Sequence, residues 1–355
     1  MSINSSRRSR KESEMKICFM MQVVLFLTTS VLYADTVKFT ALVLDYDTGT
    51  PIPGVTVRAN FTKNIGWRAW SDSAKPDVDI KVTDQDGRCR LSGKTNCGEA
   101  CCWVPEPPQG YYAEGGWGYE YKEKNLFGVW QPDNLVATIR LDRVVNPIPL
   151  YVAKSKSLKI AKMGSQLNDE FSIAYDLLNN DWLPPLGKGE VGDVVLASRK
   201  TRLGEEPYRY PSGIHTNAFY RYDVRVMFPG AGNGVVEFIR DEQRCLKLRV
   251  APDAGYNAEY VSWAGRLSRT EYKNNFDKNR HFCFRIRTEH DKDGKIKNAY
   301  YGKIYGDFRL EVREEGVADL SFLYYLNPTP NDHNLEWDMK HNLCSDPGDL
   351  SQPQP

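Results

Sequence analysis

The residues from Thr48 to Leu91 constrain this chain more than any other stretch. They open with Thr48-Gly49-Thr50-Pro51-Ile52-Pro53-Gly54-Val55-Thr56-Val57 and close with Val82-Thr83-Asp84-Gln85-Asp86-Gly87-Arg88-Cys89-Arg90-Leu91. Pro51 and Pro53 have no N–H for a ladder, so the approach belongs at a sheet edge. Beyond Gly54, Val55, Val57, Ala59 and Phe61 alternate onto one face. Asp84-Gln85-Asp86-Gly87 reverses the chain, because Gly takes positive φ without steric cost. Thr36 to Asp45 is β-branched and alternating, and Leu135 to Leu141 returns as a strand. Ile65 to Trp70 offers a further short strand. The prediction is a small β-sandwich.

An alternating strand, then T-G-x-P-I-x-G-V-x-V, then T-D-x-x-G-x-x-x-L resembles the carboxypeptidase regulatory-like (transthyretin-like, CnaB-related) domain over residues 36–150. The resemblance implies an accessory β-sandwich on exported or surface proteins, and no peptidase activity. A Cys-rich and aromatic insertion after Thr95 departs from that pattern. A second resemblance rests on Asn146-Pro147-Ile148-Pro149-Leu150-Tyr151, Tyr301-Gly302-Lys303-Ile304-Tyr305-Gly306-Asp307-Phe308 and Tyr324 to Asp332. These phrases resemble a group of secreted proteins associated with Lentisphaerae-type bacteria. That implies location and architecture, and no activity.

The N-terminus reads as an export signal over residues 1–34. Arg7, Arg8, Arg10, Lys11 and Lys16 precede the apolar run Ile17 to Leu32, and Ala34 offers a cleavage site. An uncleaved anchor is the alternative reading. Met15 is an alternative start. No other apolar run approaches a membrane span. Removing five basic and two acidic residues with the signal leaves 42 basic against 44 acidic, which argues against nucleic acid as a partner. The expected organisation is a signal over 1–34, a carboxypeptidase regulatory-like sandwich over 35–150, a larger β-sandwich or jelly-roll-like domain over 151–345, and a flexible tail over 346–355. The second domain is expected from strands at Val191–Ala197, Tyr220–Phe228, Gly234–Ile239, Cys245–Val250, His281–Thr288, Ala299–Ile304, Phe308–Val312 and Ala318–Leu326. Asp169 to Leu178 reads as a strand or short helix, and Gly204-Glu205-Glu206 as a turn.

Of the 8 Cys, Cys18 lies in the signal. Cys89, Cys97, Cys101 and Cys102 cluster with the spacing C-x7-C-x3-C-C. In an exported protein these four are candidate disulfide cysteines. Buried thiols or a metal site are the alternatives, although the spacing is not a usual zinc pattern. Trp103, Tyr111, Tyr112, Trp117 and Tyr119 are the candidate ligand-binding residues, since aromatic faces stack on sugar rings. Their other role would be to cap the core.

Chemistry is otherwise sparse. Asp84-x-Asp86-Gly87 and Asp291-x-Asp293-Gly294 start like calcium loops but lack the later ligands, and read as turns. The five His form no metal-ligand pair. No nucleophile elbow occurs, and the glycine-rich Gly230 to Gly234 is no phosphate loop. No catalytic residue, metal or cofactor is assigned. The expectation is an all-β, exported, non-catalytic binding or structural protein that takes a glycan or a partner protein, with neither nucleic acid nor membrane as partner. The alternative is a secreted carbohydrate-active hydrolase using carboxylates of the second domain.

Overall fold

The computed structural model describes residues 36–62, 76–112, 116–125, 129–159, 171–211, 213–239, 248–312 and 318–350. The expected signal, Cys18, Cys245 and the strand expected at Ile65–Trp70 lie outside these residues. All helical and strand elements among them are strands, so the protein is all-β. They form two compact units, 1–145 and 146–355.

The first unit contains β1 (Thr36–Asp45), β2 (Thr56–Phe61), β3 (Asp77–Val82), β4 (Arg88–Lys94), β5 (Glu99–Trp103), β6 (Trp117–Glu120), β7 (Glu123–Lys124), β8 (Trp130–Gln131) and β9 (Leu135–Leu141). Its two larger sheets run β4-β1-β9 and β3-β2-β5-β6. Alternation buries Val37, Phe39, Ala41 and Val43 from β1 against Val57, Ala59 and Phe61 from β2, in one core with Leu91 and Ile139. Each large aliphatic or aromatic side chain so buried contributes about 1.5–3 kcal/mol. Gly93 on β4 permits this approach, because a Cβ there would lie 2.0 Å from the Phe61 ring. The first strand pairs with the last in parallel, Phe39 opposite Leu135 through Asp45 opposite Leu141.

The two halves of the opening motif meet through one side chain. Thr83 Oγ1 donates to Ile52 O and accepts the N–H of Val55, both at 2.9 Å. Asp84 Oδ1 accepts the N–H of Asp86 and Arg88, and Gly87 has φ +69°. The Asp291 turn repeats this, with Asp291 Oδ1 accepting from Asp293 and Lys295 and Gly294 at φ +78°. Both calcium-like starts are chain-reversing turns whose first carboxylate binds its own loop. Beyond the first turn, β3 and β4 splay into different sheets. Carboxylates replace the ladder between them: Asp79 Oδ2 accepts the Ser92 N–H and Asp77 Oδ2 that of Lys94.

The second unit contains β10 (Ile148–Lys154), β11 (Leu158–Lys159), β12 (Phe171–Asp176), β13 (Asp181–Trp182), β14 (Val194–Tyr210), β15 (Gly213–Met227), β16 (Gly234–Ile239), β17 (Glu259–Arg266), β18 (Tyr272–Asn274), β19 (Arg280–His290), β20 (Ile296–Ile304), β21 (Arg309–Val312), β22 (Ala318–Ser321), β23 (Leu323–Leu326) and β24 (Trp337–Asn342). Two six-stranded sheets, β16-β19-β20-β23-β10-β24 and β13-β12-β14-β15-β17-β18, share a core with the small sheet β11-β22-β21. Tyr175, Val194 and Tyr222 meet Phe282, Phe284 and Tyr324 in that core.

Several local expectations change. Asn146–Tyr151, read as a connector, enters β10, because its apolar residues pair with β23 and, in parallel, with β24. Asp169–Leu178 resolves to the strand β12. Gly204-Glu205-Glu206 is no turn: it continues β14 past a register shift between Arg202 and Gly204. Of Cys245–Val250, the described Leu248–Val250 contributes only a bridge from Val250 to Asn334. Near the C-terminus, Pro347 O accepts the Lys154 N–H and Asp346 O accepts from Asn180 Nδ2.

Candidate ligand-binding face of the first unit

The five candidate aromatics do not share one surface. Pairing of β2 with β5 and of β5 with β6 fixes which way each side chain points. Ala59 faces Cys102 and Cys102 faces Trp117, while Arg58 faces Trp103. Ala59 and Cys102 are core residues, so Trp117 and Tyr119 lie on the inner side of the sheet. Trp103 stands on the outer side.

Trp117 and Tyr119 are stacked at 5.7 Å with planes 4° apart. Phe39 lies 5.3 Å from Trp117, and Tyr121 meets Tyr119 edge-on at 4.9 Å. One face of each of Trp117 and Tyr119 is taken by the other, while Tyr119 stays 38% exposed. Tyr111 instead donates its hydroxyl to Asp45 Oδ2 at 2.8 Å, and Tyr112 is buried with its N–H on Asp142 O. The buried Asp45 carboxylate also accepts from Arg143 Nε and, through Oδ1, from the N–H and hydroxyl of Thr48. Burial pushes this carboxyl up, but those donors together outweigh it and hold it well below the ordinary carboxylate range.

The outer side of the β3-β2-β5-β6 sheet is different. Val78, Ile80 and Val82 point outward from β3 and are 41%, 55% and 60% exposed. Register sets Ile80 beside Arg58, and Arg58 beside Trp103, in one row across three strands. The guanidinium of Arg58 lies 5.5 Å over the Trp103 ring. Asn60 and Cys101 form the next row. Period-two alternation in D-V-D-I-K-V would have found the outward valines and isoleucine. It was obscured because Asp77, Asp79 and Lys81, on the inner side, are the polar set.

Cys89, Cys97, Cys101 and Cys102 are free thiols, which corrects the disulfide reading. The adjacent Cys101 and Cys102 point to opposite sides of β5, and Cys97 Sγ donates to Thr62 O. Burial pushes the thiols of Cys89 and Cys102 up to about 11 and about 12, so both are protonated and unreactive at neutral pH.

In the second unit the most buried carboxylates are already committed. Arg287 reaches Asp193 through Nε and a terminal nitrogen at 2.8 and 2.9 Å, and Asp176 at 3.0 Å. Asp176 also accepts the N–H groups of Leu178, Asn179, Glu190 and Val191. Burial drives the Asp193 carboxyl up, whereas at Asp176 the loop N–H groups overcome burial and lower it. Asp307 is bound by Arg280 at 2.7 Å and by the Asp277 N–H at 3.0 Å. Among the described residues, no group of three or more His, Cys, Asp or Glu is arranged to hold a metal ion.

No protein-family model and no curated protein matches the chain. Among solved structures it is similar to a streptococcal ancillary pilin, at 14% identity over 56% of this chain and 55% of that one, with a TM-score of 0.22. It is also similar to the shaft pilin SpaA of Lactobacillus rhamnosus GG, at 14% identity over 56% and 89% of the two chains, TM-score 0.21. A third is BcpA, the major pilin subunit of Bacillus cereus, at 9% identity over 81% and 95%, TM-score 0.23. The chain spans about half the length of the ancillary pilin. At such TM-scores these similarities carry no argument, and the all-β assignment rests on the strands themselves. Among the described residues no helix is long and apolar enough to cross a membrane.

Proposed function

We propose that this chain is a non-catalytic binding or structural protein that works outside the cytoplasm and docks a partner protein on the outer face of the β3-β2-β5-β6 sheet. The observation that carries the reading is the row Ile80–Arg58–Trp103, flanked by the exposed Val78 and Val82. Exposed aliphatic side chains grouped on one face mark contact surfaces, and among the described residues these three belong to no part of the core of their own unit. Aliphatic branches offer no donor or acceptor to sugar hydroxyls, so a protein fits the face better than a glycan does. An aromatic and an arginine at the centre of an apolar patch is a common composition for a protein contact.

A photo-crosslinking residue in place of Ile80, in the full chain on its producing cells, tests this. The expected result is a discrete protein adduct that disappears when Trp103→Ala is added. A glycan array and a sugar-release assay accompany it. Sugar release by the mature chain would overturn the non-catalytic reading, and an adduct indifferent to Trp103 would overturn the face.

A further inference from the structure

We infer that Arg58 and Trp103 form a receptor for a carboxylate on an acidic, apolar-flanked segment of the partner protein; the inference rests on the docking role proposed for this face. Among the described residues no carboxylate pairs with Arg58, and its Nε is buried without a hydrogen-bond partner. Two residues along the same face of β2, Asn60 Oδ1 is also buried without one. Leaving a donor and an acceptor unmet side by side is unfavourable, and native structures seldom do so without a reason.

The chemistry of the missing partner follows from these atoms. The two terminal nitrogens of a guanidinium present N–H groups in parallel, which matches the two oxygens of a carboxylate. The Trp103 ring lies 5.5 Å from the guanidinium, within cation–π range. Asn60 Oδ1 accepts, so it suits an N–H such as a backbone amide. Beside this centre, Val78, Ile80 and Val82 repeat every second residue along β3, the spacing at which an extended peptide presents successive side chains to one side. A uronic acid could supply the carboxylate but nothing for the aliphatic row. Charge, donor pattern and apolar spacing together describe a peptide segment in which Asp or Glu neighbours Val, Ile or Leu.

The test uses the full chain and fluorescence anisotropy. Three probes are compared: a labelled peptide of alternating Glu and Val, its Lys and Val counterpart, and an oligomer of glucuronic acid. The Glu/Val peptide is expected to bind at least about tenfold more tightly than the other two. Arg58→Glu should reverse the preference towards the Lys/Val peptide. Arg58→Lys, which retains charge without the fork, should weaken Glu/Val binding. Near-ultraviolet circular dichroism confirms that each variant is folded, and Ile80→Glu gives a second, surface-only disruption. Absence of peptide binding, tighter binding of the glucuronate oligomer, or an unchanged preference in Arg58→Glu would each overturn the inference. Charge-blind peptide binding that Trp103→Ala abolishes would sink the carboxylate assignment and leave the docking face standing. Peptide binding that Trp103→Ala leaves intact would sink both.

Discussion

Asp45 shows what a single residue contributes to the first unit. Its carboxylate gathers Arg143, Tyr111 and Thr48, tying β1 to the turn after it and to the segment beyond β9. Because its pKa is depressed in the folded state, its stabilising contribution is fully present above the ordinary carboxylate pKa, near 4. It is lost as pH falls from there towards the folded value. Urea titrations from pH 7 down to acid should show the first unit weakening below about pH 4. Asp45→Asn should be weaker at neutral pH and should flatten that slope; an unaltered slope would remove Asp45 from the account. None of this was legible in the sequence. Asp45 reads as the last residue of a strand, and two of its three partners lie 66 and 98 positions away. Thr83, by contrast, sits in a motif whose spacing was visible, and the structure shows why: its hydroxyl bonds Ile52 and Val55 in the motif's other half.

At the scale of elements, alternation carried most of the fold. The strands expected at Thr36–Asp45, Val55–Phe61 and Gly234–Ile239 stand within a residue of where period-two patterning put them. What failed was any feature that depends on a neighbouring strand. Gly204 looked like a turn because the sequence cannot show that β15 runs alongside it. The aromatics between Trp103 and Tyr119 looked like one cluster because the β5–β6 register, which sets Trp117 opposite Cys102 and so on the other side from Trp103, is not visible in the sequence. Gly93 makes a related point about packing. Replacing Gly93 by Ala forces a methyl into the Phe61 ring, and should cost the first unit about 1–3 kcal/mol in urea denaturation. A cost near zero would mean that the two sheets can move apart freely.

For the whole molecule, the two cores call for separate accounting. Arg287 has φ +50° and lies where the β19–β20 register shifts, and its guanidinium reaches Asp176 at the end of β12 and Asp193 just before β14. Arg287→Met would leave those two buried carboxylates without their cation, at about 3–5 kcal/mol. Differential scanning calorimetry should show this loss in the transition of the second unit, while Asp45→Asn lowers that of the first. A single transition that both variants shift equally would contradict two separate cores. The sequence announced two β-rich regions, but its boundary at 150/151 cut through β10, because a strand's allegiance is decided by its partners, β23 and β24.

One arrangement occurs in both units: the first strand lies parallel to the last, β1 beside β9 and β10 beside β24. The consequence is mechanical. Tension applied between the entry and exit of either unit pulls two parallel neighbours in opposite directions along their own axes. Their cross-links are then loaded together in shear, where an antiparallel pair pulled from adjacent ends would peel open one bond at a time. Each unit therefore resists stretching along the chain at the seam where its ends meet.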